Sequence, residues 1–307
     1  IKASAGGGGK GMRIAFKKNE LKELIKAAKN EAKNAFGDDR IFIEKYIENP
    51  RHIEIQILGD RYGNIISLGE RECSIQRRHQ KIIEEAPSAF LDEKTREKMS
   101  QQAIRLAAAV NYYSAGTVEF VVDKNRNFYF LEMNTRLQVE HPVTEEITGV
   151  DLVQEMINIA EGKKLSFSES RVRTDGWSIE ARLCSEDPMK NFLPSAGKIK
   201  KMTFPKNIRC DIGYEEGNAV SIYYDSLLAK IISKGKNRNE AIQKIIKGLE
   251  EINIQGIQTN QDFLINILQT KEFYESKFDT NFISEHYKEG FKGKTIDNTK
   301  LEIMAIA

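Results

Sequence analysis

Three shortages in this sequence exclude whole classes of protein. The chain has only three cysteines, Cys73, Cys184 and Cys210, which form neither a metal-type pair nor an even set for a disulfide framework. No apolar run approaches the roughly 18 residues that a membrane-spanning helix needs. The net charge is only +2, with 47 basic and 45 acidic residues intermixed, whereas a nucleic-acid-binding surface needs clustered positive charge. We therefore expect a protein of a reducing compartment with neither a membrane span nor a nucleic-acid partner.

The beginning of the chain also departs from that of a complete protein. It starts at Ile1 rather than at a methionine, shows no signal-peptide pattern and reaches a glycine run at once. Its 307 residues are enough for about two domains. We expect an internal piece of a longer protein, with residues 291–307 as the start of a linker.

Apolar spacing predicts alternating helices and strands. A stripe of leucine, isoleucine and alanine predicts a helix over residues 19–36, with Asn19 as its N-cap and Gly37 after its end. The other predicted elements are strands at 41–47 and 52–58, a strand after the turn at 59–64, and helices at 91–111, 152–161 and 239–252. In the strand at 52–58 three isoleucines share one face, and the opposite face is polar: His52, Glu54 and Gln56.

A β-hairpin is predicted around the polar turn at residues 124–127. If Asp123 pairs with Phe128, the register places Glu119 directly opposite Glu132. Cross-strand partners share a face about 5 Å apart, and like charges there destabilise the pair. A divalent cation between the two acids would remove that penalty.

The most informative stretch is the polar segment EMNTRLQVEHP at residues 132–142. On an extended backbone, side chains alternate between faces. Five polar residues would then project to one side: Glu132, Asn134, Arg136, Gln138 and Glu140. Because buried polar groups need partners, a metal ion and small anionic substrates are the partners we expect. Glu119, Glu132 and Asn134 form a candidate Mg²⁺ or Mn²⁺ site, and the alternative is a strand face held by salt bridges.

A glycine run, a basic run and one arginine are further candidate site features, and each also has a purely structural interpretation. The glycine run Gly6–Gly9, with Lys2 nearby, can bring backbone N–H groups to phosphate oxygens, or it is a flexible linker. Its spacing fits neither a Walker loop nor a dinucleotide fingerprint. The RRHQK run at 77–81 can be a solvated loop. Arg182 can form a local ion pair with Glu186 or Asp187.

Taken together, these motifs resemble the biotin carboxylase component of biotin-dependent acyl-CoA carboxylases, which is an ATP-grasp enzyme. The matching strings are KASAGGGGKGMR (2–13), EKYIENPRHIEIQ (44–56), RRHQKIIEEAP (77–87), GTVEF (116–120), EMNTRLQVEHPVTE (132–145) and YYDSLLAK (223–230). Within the family, the segment at 221–230 and the ending FISEHYKEGFKGK are most similar to the alpha subunit of propionyl-CoA carboxylase. The resemblance covers the chain to about residue 292.

The resemblance implies roles for the matching residues. ATP would be held by Lys2, Gly6, Gly7, Gly8, Gly9, Glu44, Lys45, Ile47, His52, Gln76 and His79. Metal ions would bind Glu119 and Glu132, with Asn134 beside them. Bicarbonate would be held by Lys81, Arg136, Gln138 and the N–H of Val139. Glu140 would be the base that deprotonates bicarbonate, and Arg182 would face biotin and stabilise its enolate.

The resemblance also implies an α+β architecture. We expect a partial ATP-grasp lid at 1–43, an ATP-grasp core at 44–175 and a mixed α/β C-terminal domain at 176–290. The implied partners are a biotin carboxyl carrier domain and a carboxyltransferase subunit, and family members form homo-oligomers. The implied compartment is the cytoplasm or the mitochondrial matrix. Because the family has a further N-terminal domain with an ATP-binding lysine, we expect the isolated 307 residues to turn over ATP weakly or not at all.

Three alternatives remain open at this point. Pyruvate and acetyl-CoA carboxylases share the same half-reaction, because the acyl acceptor is chosen on another domain or subunit. A different ATP-grasp ligase, such as carbamoyl phosphate synthetase, also activates bicarbonate, although RRHQK and Arg182 favour biotin. A truncated, non-catalytic module would keep the fold without turnover, and the intact Lys81, Arg136 and Glu140 argue against it.

Overall fold

The computed structural model describes residues 1–5, 11–168 and 172–293. The chain divides into two compact units. The smaller, N-terminal unit comprises Ile1–Asn49 and Arg78–Gln80, and the main unit comprises Pro50–Arg77 and the residues from Lys81 onward.

The N-terminal unit contains one long helix and a two-stranded sheet. Strand β1 (Lys2–Ala3) pairs antiparallel with β2 (Ile41–Phe42), and α1 spans Leu21–Phe36. The predicted helix is confirmed, and Gly37 ends it with φ of 74°. The predicted N-cap is wrong, because Asn19 lies inside a 3₁₀ turn that precedes the helix. The predicted strand at 41–47 is wrong beyond its first two residues.

The main unit is built on one sheet of eight antiparallel strands. These are β3 (Arg51–Gly59), β4 (Ile65–Arg77), β5 (Gln80–Ala86), β6 (Ser114–Val122), β7 (Phe128–Asn134), β8 (Trp177–Cys184), β13 (Arg209–Ile212) and β15 (Leu227–Gly235). Their order across the sheet is β13-β15-β8-β5-β4-β3-β6-β7. The sheet therefore runs through both the predicted core at 44–175 and the predicted C-terminal domain at 176–290.

Helices and short strands complete this unit. The helices are α2 (Glu93–Ala109), α3 (His141–Thr148), α4 (Leu152–Ala160), α5 (Arg238–Glu251), α6 (Gln261–Leu268), α7 (Lys271–Tyr274) and α8 (Phe282–His286). The short strands are β9 (Glu186–Asp187), β10 (Leu193–Pro194), β11 (Gly197–Lys198), β12 (Lys201–Thr203), β14 (Ala219–Val220) and β16 (Asn253–Gln255). The predicted helices at 91–111, 152–161 and 239–252 are confirmed, with ends that differ by one or two residues. Within the described ranges, no helix has both the length and the apolar character needed to cross a membrane.

Two apolar clusters hold the sheet to its helices. In one, the three isoleucines of β3 pack with Met99 and Ala103 of α2 and with Phe120 of β6. In the other, α5 and α6 cover β8 and β15, with Phe263 fully buried. Because alternate residues of a strand point to opposite faces, the β3 isoleucines leave their polar neighbours on the other side of the sheet.

Candidate active site

A buried polar cluster occupies the sheet face opposite the β3 isoleucines, as the alternation predicts. Glu54 and Gln56 of β3 are fully buried, and His52 is largely buried. Buried polar groups are costly unless they have partners. The partners come from β4, β5, β6, β8 and from the loop between β7 and α3.

Lys81 lies at the centre of this cluster and binds three carboxylates. Its Nζ donates to Glu54 Oε2 at 2.6 Å, to Glu119 Oε1 at 2.9 Å and to Glu140 Oε1 at 2.6 Å. Burial alone would lower the pKa of Lys81, but the surrounding negative charges, Glu54 foremost, raise it well above 10.5. Lys81 is therefore a permanent cation, and the solvated loop considered for residues 77–81 is wrong at this position.

Glu119 has partners on both carboxylate oxygens. Its Oε2 lies 3.0 Å from His52 Nε2, and its Oε1 accepts from Asn134 Nδ2 at 3.0 Å and from Gln138 Nε2 at 2.8 Å. Burial acts to raise the pKa of Glu119, but His52 and Lys81 outweigh it and hold that pKa far below 4.5. Glu119 is thus an anion at every physiological pH.

Arg71 is a site residue that the sequence analysis missed. This arginine of β4 is fully buried, and its guanidinium donates to Glu54 Oε1 at 2.6 Å and to Gln138 Oε1 at 3.0 Å. It also donates to Gln56 Oε1 at 2.5 Å and to the hydroxyls of Thr117 and Thr144 at 3.0 Å. Arg71 therefore anchors residues of β3 and β6 and the segment around α3 in one network. The sequence around it, GERECS at residues 69–74, alternates charges in a way typical of an exposed strand and gave no signal of a buried arginine.

Glu140 is held between two cations. One oxygen accepts from Lys81, and the other accepts from Arg182 Nη2 at 2.9 Å. Arg182 Nε donates to Glu84 Oε1 at 2.6 Å. The local ion pair considered for Arg182 is wrong, because Glu186 instead pairs with Arg77 at 3.1 Å. A buried carboxylate fixed in this way has a defined orientation.

The predicted extended backbone across residues 132–140 is wrong after Asn134, where β7 ends. A loop follows, and α3 begins at His141. The loop buries Gln138 and Glu140 in the cluster but leaves Arg136 exposed, with Nη1 donating to the carbonyl of Leu137 at 3.2 Å. The structure therefore brings Asn134, Gln138 and Glu140 together and leaves Arg136 at the surface.

The predicted pairing of Glu119 with Glu132 is confirmed, although the predicted anchor of the register is wrong. Val122, not Asp123, pairs with Phe128, and a β-bulge between Glu119 and Phe120 restores the pairing of the two acids. Glu132 is exposed, and its carboxylate has no ion pair among the residues that the structure describes. Glu119 and Glu132 are cross-strand partners, and Asn134, two residues after Glu132 in β7, contacts Glu119 through Nδ2. Carboxylate and amide oxygens on this face of the hairpin are the ligand types that Mg²⁺ or Mn²⁺ prefers.

Two buried triads also bring ligand atoms within 4.8 Å of one another. They are His52 with Glu54 and Glu119, and Glu54 with Cys73 and Glu140. The Lys81 ammonium already bonds to the carboxylates of both triads. A metal ion bound within either triad would have to displace this buried cation. Glu119 belongs to the first triad, so a metal ion at the hairpin acids would share that carboxylate with Lys81.

The predicted nucleotide-binding residues fall in both units. In the main unit, Gln76 Nε2 lies 2.7 Å from His52 Nδ1. In the N-terminal unit, Lys2 Nζ pairs with Glu44 Oε2 at 2.9 Å. Lys45 and Ile47 of that unit lie in a segment without regular structure, and His79 sits in a tight turn with φ of 67°. The glycines Gly6, Gly7, Gly8 and Gly9 lie outside the described residues.

Comparison with known proteins identifies the same family over nearly the whole chain. The family model named "Carbamoyl-phosphate synthase L chain, ATP binding domain" matches residues 1–168. The family model named "Biotin carboxylase C-terminal domain" matches residues 180–285. The mitochondrial propionyl-CoA carboxylase alpha chain of Sus scrofa is 52% identical, with 100% of this chain and 43% of that protein covered. The corresponding chain of Ruegeria pomeroyi is 51% identical, with 100% and 48% covered. The chain thus spans less than half the length of these two curated relatives.

Solved structures of biotin carboxylases are also similar to this chain. The biotin carboxylase–β,γ-ATP complex from Campylobacter jejuni has a TM-score of 0.90 and 47% identity, covering 93% of this chain and 64% of that one. The biotin carboxylase domain of Hydrogenobacter thermophilus 2-oxoglutarate carboxylase, in complex with MgADP, ADP and bicarbonate, has a TM-score of 0.89 and 48% identity, covering 93% and 63%. The predicted α+β fold of ATP-grasp type is confirmed. The chain belongs to the biotin carboxylase family, with an ATP-binding domain followed by a biotin carboxylase C-terminal domain.

Proposed function

We propose that this chain carries out the ATP- and bicarbonate-dependent carboxylation of biotin, the first half-reaction of an acyl-CoA carboxylase. The observation that carries the proposal is the position of Glu140. It is buried, with one oxygen on Lys81 at 2.6 Å and the other on Arg182 at 2.9 Å. A carboxylate fixed between two cations can accept a proton from an anion that the same cations attract.

Bicarbonate is a weak nucleophile, so its attack on a phosphorus atom needs a base and fixed positive charge. We assign the base to Glu140 and anion binding to Lys81, Gln138 and the N–H of Val139. Arg136 is exposed beside this group and supplies a guanidinium fork suited to a planar anion. The buried Arg71 lies behind Gln138 and orients its amide, because Gln138 Oε1 accepts from Arg71 while Nε2 donates to Glu119.

The reaction then follows from the substrates. Deprotonated bicarbonate attacks the γ-phosphorus of ATP, ADP leaves, and carboxyphosphate forms. Its breakdown gives CO₂ and phosphate, the phosphate takes the N1′ proton of biotin, and biotin N1′ bonds to CO₂. Arg182 stabilises the biotin enolate through its delocalised charge. When bound, Mg²⁺ or Mn²⁺ offsets negative charge on the phosphate oxygens, and Glu119, Glu132 and Asn134 would hold it.

We also propose the nucleotide-binding residues. Lys2, Glu44, Lys45, Ile47 and the glycine run would serve ATP from the N-terminal unit. His79 would also serve ATP from the N-terminal unit. From the main unit the contribution would come from His52 and Gln76, which contact each other. Each assignment is made because the residue matches a nucleotide-binding position of the family. The Lys2–Glu44 ion pair supports the assignment of these two residues by keeping their side chains together.

The wider assembly is inferred from relatives. Because two curated relatives are propionyl-CoA carboxylase alpha chains, we propose propionyl-CoA as the final acceptor. The partners would be a biotin carboxyl carrier domain and a carboxyltransferase subunit, with a homo-oligomer as the working form. We place the protein in the cytoplasm or the mitochondrial matrix, because one of these relatives is bacterial and the other mitochondrial.

Glu140→Gln in the full-length protein tests the assignment of the base. The substitution keeps the size of the side chain and removes its basicity, so bicarbonate-dependent ADP formation should fall by about a hundredfold or more, within the range for a lost general base. Initial rates at saturating ATP, bicarbonate and biotin measure it. The control is Glu97→Gln on the exposed side of α2, which should keep the wild-type rate. Unchanged ADP formation in E140Q would refute Glu140 as the base.

A further inference from the structure

Two glutamates behind Arg182 face each other without enough hydrogen-bond partners. Glu84 of β5 and Glu180 of β8 are register partners in adjacent strands, and both are fully buried. Of their four oxygens, only Glu84 Oε1 is bonded within the described part of the chain, and it accepts from Arg182. Glu84 Oε2 and both oxygens of Glu180 are buried there without a partner.

Charges from the neighbouring strands do not support two anions at this place. Arg182 bonds to Glu84 and Glu140, and Lys81 bonds to Glu140. Lys230 of β15 is opposite Arg182 in register, but its Nζ bonds to the Val139 carbonyl and to Asp211, both at 3.1 Å. No cation of the described chain therefore bonds to Glu180. Two adjacent buried carboxylates with one bonded cation are strongly unfavourable when both are ionised.

The pKa shifts agree with this geometry. Burial is the largest cause for both groups, and it raises the pKa of Glu84 to about 7. For Glu180, burial and then the charge of Glu84 raise the pKa well above 4.5. Glu180 has no bonded cation to oppose its burial, whereas Arg182 favours the charged form of Glu84.

We propose that, above pH 7, the Glu84–Glu180 pair holds one proton, carried by Glu180, and that Glu84 is the anion of the pair and acts as a positioning residue for Arg182. Arg182 is then held by two carboxylates, because Nε and Nη2 both contact Glu84 and Nη2 also donates to Glu140. Nη1 has no bonded partner within the described chain and is left for biotin. The role of Arg182 rests on the proposed function, whereas the location of the proton does not.

The proton is tested on the 307-residue chain without any substrate. Urea unfolding is measured from about pH 7.5 to pH 9, where Glu84 is ionised, for the wild type, Glu180→Gln, Glu180→Met and Glu84→Gln. If only the folded state holds this proton, unfolding releases it. The unfolding equilibrium constant should then rise about tenfold for each pH unit, in addition to any dependence that all the variants share. We expect this dependence in the wild type and in E84Q, because burial of Glu180 persists in both, and its loss in E180Q and E180M.

The methionine variant keeps the experiment decisive if E180Q does not fold. Infrared spectroscopy provides a second readout, since a protonated carboxyl has a carbonyl stretch separate from that of a carboxylate. The band should be present at about pH 8 in the wild type and absent in E180Q. A wild-type chain with the same pH dependence as E180Q, or loss of the dependence in E84Q, would overturn the proposed location of the proton.

Positioning of Arg182 is tested by kinetics of the full-length protein with free biotin as acceptor. E84Q removes the anion that holds Arg182, so KM for biotin should rise about tenfold or more while KM for ATP stays constant. E180Q keeps a neutral side chain at 180 and should show the wild-type KM for biotin. A merely structural role would lower the stability of E84Q without this selective change, and that result would overturn the positioning role.

The two proposals fail in distinguishable ways. If the full-length wild type carboxylates no biotin, the proposed function is refuted and the unfolding experiment still decides where the proton lies. If the wild type is active and E84Q keeps its KM for biotin, only the positioning role is refuted. Glu93→Gln, on the exposed first turn of α2, is the matched control for a lost carboxylate and should match the wild type in both experiments.

Discussion

The two faces of β3 are equally buried but are stabilised in opposite ways. Ile53, Ile55 and Ile57 have no exposed surface and pack against α2. Glu54 and Gln56, between them in sequence, also have none, yet they lie among Arg71, Lys81 and other charged groups. One strand therefore belongs to an apolar core and to a charged interior at once.

The difference separates what stabilises the fold from what serves chemistry. Burying an aliphatic side chain stabilises a protein by about 1.5–3 kcal/mol. A buried ion pair is often no better than an apolar pair of the same size, because removing charges from water is costly. The polar face is thus a poor choice for stability alone. We infer that its function, fixing Glu140 and its cations, explains why the sheet retains it.

Arg71→Met, on the polar face of the sheet, should cause the largest loss of stability among these variants. It leaves Glu54 with one cation fewer and leaves Gln56 and Gln138 without a donor, so we expect the free energy of unfolding to fall by about 3–5 kcal/mol. Urea unfolding measures the loss. The double variant with Glu54→Gln should recover part of it, because the uncompensated charge is gone. Arg105→Met on the exposed face of α2 should change stability by less than about 0.5 kcal/mol. An R71M chain as stable as that control would contradict the charged-interior interpretation.

Ile55→Ala tests the apolar face of the same strand. The cavity should lower the free energy of unfolding by about 2–4 kcal/mol, and Ile55→Val by about 1 kcal/mol. The same urea experiment measures both variants. Unlike the polar variants, they should show no dependence on pH beyond that of the wild type. A pH-dependent loss in I55A would show that the two faces are not independent.

The smallest effect is the pH dependence of Glu54. Burial acts to raise the pKa of Glu54, but Lys81 and Arg71 outweigh it and lower that pKa below 4.5. Since the folded-state pKa is depressed, the stabilisation is present above about pH 4.5 and is lost as the pH falls through the folded-state value. The stability difference between wild type and Glu54→Gln should therefore narrow on acidification below pH 4.5. A difference that is constant between pH 7 and pH 3 would contradict the pairing.

The sequence predicted elements better than the contacts between them. Alternation in β3 predicted both of its faces, because a two-residue period is visible in one strand. The pairing of Glu119 with Glu132 was predicted from an anchor at Asp123 that is wrong by one residue, and the bulge compensated. The extended course through Arg136 failed because the chain turns into α3, whose N-terminal residues follow directly.

The missed residues share a physical cause. Arg71, Glu84 and Glu180 act through partners far away in sequence, such as Gln138 for Arg71 and Arg182 for Glu84. Local spacing carries no record of such contacts, and a single charged residue inside a strand is compatible with a surface position. Strand order brings β4, β5 and β8 together, and that order was not predicted.

Because of the bulge in the β6–β7 hairpin, deletion and insertion of one residue in β7 should have different consequences. Leu131 is the residue without a partner, since Phe120 pairs with Phe130 and Glu119 with Glu132. A chain that lost Leu131 would have a regular ladder with the two acids still opposite each other. A chain with one more residue there would need a second irregularity or would turn the acid to the other face of the sheet. The hairpin can therefore shorten by one residue between the turn and Glu132, but it cannot lengthen without misaligning the metal candidates.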